Sequence, residues 1–128
     1  MEKYILIIED DQSVQRAYQL KFAKQNAMVK PLINGKEALN YIKDPKSNPP
    51  TVIILDLMLP GASGFEILSE IKKIESWKSV PVIVISNLSQ MADVDKIKAL
   101  GIADFLIKAN ARIDTIIEKV IKYYNEAK

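Results

Sequence analysis

Six residues of this chain could do chemistry together: Glu9, Asp10, Asp11, Asp56, Ser86 and Lys108. Asp56 closes the apolar, mostly β-branched run Val52–Leu55, and a turn containing Pro60, Gly61 and Gly64 follows it at once. A charged residue ending a strand that is apolar on both faces must stand at the rim of a sheet, because burying a lone carboxylate is costly or neutralises it. The run Tyr4–Ile8 ends in the same way, on Glu9, Asp10 and Asp11. Pro81–Ser86 ends on a hydroxyl and Asp104–Lys108 on an ammonium.

Carboxylates brought to one edge repel, so such a cluster needs a cation or a raised pKa. Oxygen ligands without His or Cys suit Mg²⁺, and this sequence contains neither residue. With that ion present, the ionised Asp56 could attack a phosphoryl group as a carboxylate nucleophile and give an aspartyl phosphate. Lys108 would hold a transferring oxygen and Ser86 would donate a hydrogen bond to another. No general base is required, since a carboxylate is already ionised at neutral pH. The added charge would draw Ser86 and Lys108 toward it, a way to move the loops after the fourth and fifth strands. Each residue alone has a plain reading as a helix cap or a solvated charge; their coincidence on four strand ends favours the joint one.

The elements that position these residues follow from the apolar spacing. Tyr4–Ile8, Ala27–Ile33, Thr51–Asp56, Pro81–Ser86 and Asp104–Lys108 read as strands. The first helix carries Val14, Ala17, Tyr18 and Phe22 on one stripe and is capped by Ser13 or the acids before it. Asn34-Gly35 turns into a second helix with Ala38, Leu39 and Ile42, which the proline-rich loop Asp44–Pro50 ends. A third helix spans about Ser63 to Ile74, and a fourth, with Met91, Val94, Ile97 and Leu100, stops at Gly101. The last begins near Ala111 and buries Ile113, Ile116, Ile117, Val120 and Ile121. Alternating strands and helices predict a parallel α/β sheet covered on both faces, doubly wound, with a site outside the carboxyl ends of the strands.

At 128 residues, with 48% hydrophobic and 27% charged residues, the chain fits one domain over residues 1–128. The absence of cysteine excludes disulfides and thiolate chemistry. A net charge of +2, with Arg16 and Arg112 the only arginines, argues against direct nucleic-acid binding. No stretch approaches the roughly 20 apolar residues that span a bilayer, so a cytoplasmic location without a membrane partner is expected.

The segments ILIIEDD, NGKEAL, DLMLPGASGFE, PVIVIS and GIADFLIK, in this order and spacing, resemble those of the receiver domains of bacterial two-component response regulators. The resemblance covers the whole chain. It implies the flavodoxin-like strand order 2-1-3-4-5 and a signalling domain that catalyses only its own phosphorylation and dephosphorylation. Carried over by position, Asp56 resembles the phosphoacceptor. Asp10 and Asp56 would ligate Mg²⁺ directly, Glu9 through water, and Met58 through its backbone carbonyl. Ser86 and Phe105 resemble the switch residues and Lys108 the lysine of the site, while Asp11 is extra and peripheral. The implied partners are a sensor histidine kinase or histidine phosphotransfer protein and a downstream protein target reached through the last two helices and fifth strand. A phosphorylation-dependent homodimer is also compatible.

Two positions depart from that pattern. Ala109 follows Lys108 where the family usually has a cis-proline; a non-proline cis bond costs about 2.5–4 kcal/mol, so a trans bond is expected, which would redirect the backbone of Ala109–Asn110 and could alter how far Lys108 reaches. Asn87 stands where a small residue is usual, and its bulk would hinder a phosphodonor. These departures motivate a second reading, a binding module that acts without phosphorylation. A flavodoxin-like cofactor domain is a third, but the loop EDDQSV is acidic and would repel a phosphate.

Overall fold

The structure is a computed structural model that describes residues 2–87 and 94–127. Its elements run β1 (Ile5–Ile8), α1 (Gln12–Lys24), β2 (Val29–Leu32), α2 (Gly35–Lys43), β3 (Val52–Asp56), α3 (Gly64–Lys73), β4 (Val82–Ser86), α4 (Val94–Ala99), β5 (Asp104–Ile107) and α5 (Ile113–Glu126). All strand pairs are parallel and the order is β2-β1-β3-β4-β5, as expected. Met91 lies outside the described residues.

Strands β1, β3 and β4 are buried along their whole length because helices cover both faces. Alternation then splits the core in two. Leu6, Ile8, Ile53, Leu55, Val82 and Val84 face a layer formed by α2, α3 and α4, with Trp77 buried in it. Ile5, Ile7, Val52, Ile54, Ile83 and Ile85 face Tyr18 and Phe22 of α1 and Ile116, Ile117 and Val120 of α5.

Several boundaries differ from expectation. The second strand covers only Val29–Leu32, at the sheet edge, where Pro31 leaves no inner ladder bond unmade. The fifth strand stops at Ile107, one residue before Lys108, and the last helix starts at Ile113 rather than near Ala111. Of the candidate caps it is Asp11, outside the acid cluster, that caps α1, its carboxylate accepting from the backbone N–H groups of Ser13 (2.9 Å) and Val14 (3.2 Å). Ser63 and Asn34 cap α3 and α2 in the same way. Beyond Asp56 the chain turns at Gly61, whose φ of +92° favours glycine, and returns so close that a Cβ on Gly64 would stand 2.7 Å from Leu57 Cα.

Candidate functional site

The register of the sheet brings the acids together. Ile8 pairs with Leu55, so the next residues, Glu9 and Asp56, leave the sheet side by side. By alternation Glu9 and Asp56 continue the α1/α5 face of their strands, and Lys108 follows Leu106 on that same face. Lys108 Nζ lies 2.9 Å from Asp56 Oδ2 and 2.9 Å from Glu9 Oε1. Asp56 also accepts from the Met58 backbone N–H at 3.0 Å. The two acids are 4% and 2% exposed respectively, so the ion pairs sit at the buried floor of the site.

Asp10 is exposed, yet its carboxylate joins those of Glu9 and Asp56 in a cluster whose ligand oxygens lie within 4.8 Å of one another. An open cleft of about 570 Å³ runs from Asp10 along Leu57, Met58 and Pro60 to Ser63. Burial first, and then the charge of Asp56, pushes the Glu9 carboxyl up to about 7, against the pull of Lys108. Burial works against the charge of Lys108 too, but its bonds to Asp56 and Glu9 outweigh that and hold its pKa above the ordinary lysine value. Three carboxylates with one lysine between them form an oxygen-only donor set short of positive charge, which fits a small hard cation.

The predicted residues do not all meet. Ser86 is fully buried, but its Oγ donates to the Asn87 carbonyl (3.1 Å) and has no bond to Asp56. It continues the opposite face of β4 from Ile83 and Ile85, the face of Val82 and Val84. Phe105, half-buried, packs against that same layer, with the Lys98 ammonium 5.9 Å from its ring centre. Ser86 and Phe105 thus lie in a different layer from the ion-paired triad. The Lys108–Ala109 bond is trans as expected, and with it Lys108 reaches both acids. Asn87 Nδ2 lies 3.5 Å from Met58 Sδ, linking the loops after β4 and β3 beside Asp56.

One residue escaped the sequence reading. Gln15 of α1 is 3% exposed, and the two N–H groups of its Nε2 are shared among the carbonyls of Ile7 (3.0 Å), Glu9 (3.2 Å) and Leu32 (3.0 Å). Its signal was position: Gln15, Tyr18 and Phe22 form one stripe, at 0, 3 and 7 along the helix, all buried.

The model of the response regulator receiver domain matches residues 5–121. The chain belongs to the response regulator receiver family. Membership makes this receiver domain a module of two-component signalling rather than a conventional enzyme, and receiver domains pair with histidine kinases. It also decides against a flavodoxin-like cofactor domain. The chain is 30% identical over 124 residues to the chemotaxis protein CheV1 of Helicobacter pylori, covering 95% of this chain and 38% of that one. It spans about half the length, or less, of the curated relatives it matches first. Among solved structures it is similar to the Mn²⁺-bound form of response regulator Rcp1, with a TM-score of 0.84 and 26% identity over 98% of this chain and 96% of that one. The phosphorylated cyanobacterial phytochrome response regulator RcpA gives a TM-score of 0.83 and 25% identity over 98% and 96%. No helix among the described residues is long and apolar enough to cross a membrane.

Proposed function

We infer that residues 1–128 form one receiver domain that takes a phosphoryl group from a phosphohistidine onto Asp56. The observation that carries this is the setting of Asp56: buried at a strand end, ion-paired to Lys108 at 2.9 Å, and clustered with Glu9 and Asp10. Asp10, Asp56 and the backbone carbonyl of Met58 would hold Mg²⁺ directly, and Glu9 through water. When bound, the ion would neutralise charge on the transferring phosphoryl oxygens. RcpA in its phosphorylated form and Rcp1 with Mn²⁺ support this reading.

An Asp56 carboxylate oxygen attacks phosphorus as the phosphorus–nitrogen bond to the donor imidazole breaks, and the leaving imidazole takes up the electron pair. Lys108, already beside Asp56, stays on the product and offsets its added charge. Ser86 turns from the Asn87 carbonyl to donate to a phosphoryl oxygen, and Phe105, in the same layer, follows. Output is then a changed surface over α4, β5 and α5 that a downstream protein or a second copy reads. The donor is a sensor histidine kinase or a histidine phosphotransfer protein.

The test is intact-mass measurement after incubation with Mg²⁺ and a small phosphodonor. One added phosphoryl group on the wild type and none on Asp56→Asn is expected. The Asn87–Met58 link beside Asp56 favours, as a second reading, a binding module that works unphosphorylated; an unlabelled wild type would select it.

A further inference from the structure

Asp10 has no side-chain hydrogen bond among the described residues, so its carboxylate is aimed only by the backbone that carries it. On the far side that backbone is fixed by the α1 cap, where the Gln15 N–H donates to the Asp11 carbonyl at 2.9 Å. On the near side it is fixed by the Gln15 side chain, whose amide holds the Glu9 carbonyl and the carbonyls of Ile7 and Leu32. The Glu9 N–H donates to Leu32 as well, at 3.0 Å, so the ends of β1 and β2 and the first turn of α1 meet at one amide group. The other end of that amide is unusual. Gln15 Oε1 is buried without a partner among the described residues, a loss that stability alone does not favour.

We propose that Gln15 is a positioning residue for divalent-cation binding: it holds the Glu9–Asp10 peptide so that the Asp10 carboxylate faces Asp56 at the spacing a small ion needs. This rests on the reading of the acid cluster as a Mg²⁺ site. A residue that sets ligand geometry has an effect that general loosening does not. Mg²⁺ demands near-octahedral ligands at about 2.0–2.1 Å, whereas Ca²⁺ accepts irregular ones at about 2.3–2.6 Å. Misaiming Asp10 therefore weakens Mg²⁺ far more than Ca²⁺, while loosening the fold leaves their ratio alone.

The experiment is calorimetric titration of Mg²⁺ and of Ca²⁺ into wild type, Gln15→Met and Gln15→Asn. Methionine keeps the length without the donors; asparagine keeps the amide but sets it one methylene back. Phe22→Leu, buried on the same helix away from the acids, controls for a loosened α1. Both Gln15 variants are expected to lose about 10-fold in Mg²⁺ affinity and under about 2-fold for Ca²⁺, with the ratio unchanged in Phe22→Leu. If Gln15→Met does not fold, Gln15→Asn decides alone. Mg²⁺ affinity within about 2-fold of wild type in a folded variant, or an equal fall for both ions, overturns the role of Gln15. A wild type that binds no Mg²⁺ overturns instead the metal reading on which it rests.

Discussion

Lys108 is bonded to Asp56 at 2.9 Å, and the same ammonium reaches Glu9 at 2.9 Å. One cation shared by two buried carboxylates leaves Glu9 undercompensated, and its raised pKa follows from that burial and from the charge of Asp56.

The first prediction concerns pH. Glu9 holds its proton up to about 7 in the folded protein, against 4.5 for an ordinary glutamate, while Lys108 titrates far above this window. Between those values the folded state carries a proton that the unfolded chain has released, so the metal-free protein loses stability as pH rises through the window. The fall is at most about 3 kcal/mol. Denaturant titrations from pH 4.5 to 7.5 should show it, Glu9→Gln should flatten it, and Mg²⁺ should offset it at the upper end.

Removing the shared cation should have the complementary effect. Lys108→Ala leaves two buried acids facing each other, and should cost about 1–3 kcal/mol near pH 8. The cost should shrink at pH 5.5, where Glu9 is protonated. Urea unfolding at the two pH values reads the difference, and equal losses at both would contradict the pairing.

Much of this was legible in the sequence because strands buried on both faces read as unbroken apolar runs, each ending where its chemistry begins. Val52–Asp56 is the clearest case. The edge strand is shorter than Ala27–Ile33 because Ala27, Met28 and Ile33 are as apolar as a strand but lie outside the paired run Val29–Leu32. Gln15 was missed because a glutamine on a helix reads as solvated, although its place on the Tyr18 and Phe22 stripe marked it as buried. The sequence offers Ser13 or any of the acids before it as the cap of α1, and the entry geometry of the helix selects Asp11. Ser86 ends β4 and Lys108 follows the end of β5, but alternation puts them on different faces, a distinction that strand ends alone do not carry.

Asp10 and Asp11 are neighbours with separate tasks, which mutation should divide. Asp11→Ala should lower stability by about 1 kcal/mol through loss of the cap and leave Mg²⁺ affinity largely intact. Asp10→Ala should leave stability nearly unchanged and weaken Mg²⁺ binding by at least about 10-fold. Thermal unfolding and calorimetry on the two variants check both halves.

The Asn87–Met58 link gives a kinetic prediction. Asn87→Ala removes both the bulk beside Asp56 and the contact that ties the two loops, and should speed labelling by a small phosphodonor several-fold. Met58→Ala, which cuts the link from the other side, should shift the rate in the same direction. Unchanged rates in both variants would show that the link does not hinder access.

The central claim is that Asp56 itself receives the phosphoryl group. Borohydride reduction of phosphodonor-treated protein, followed by peptide mass spectrometry, tests it directly, because an acyl phosphate on aspartate is reduced to homoserine. The account predicts homoserine at position 56 only, dependent on Mg²⁺. Homoserine at position 10 or 11 with none at 56, or none anywhere in a folded, Mg²⁺-loaded wild type, would contradict it.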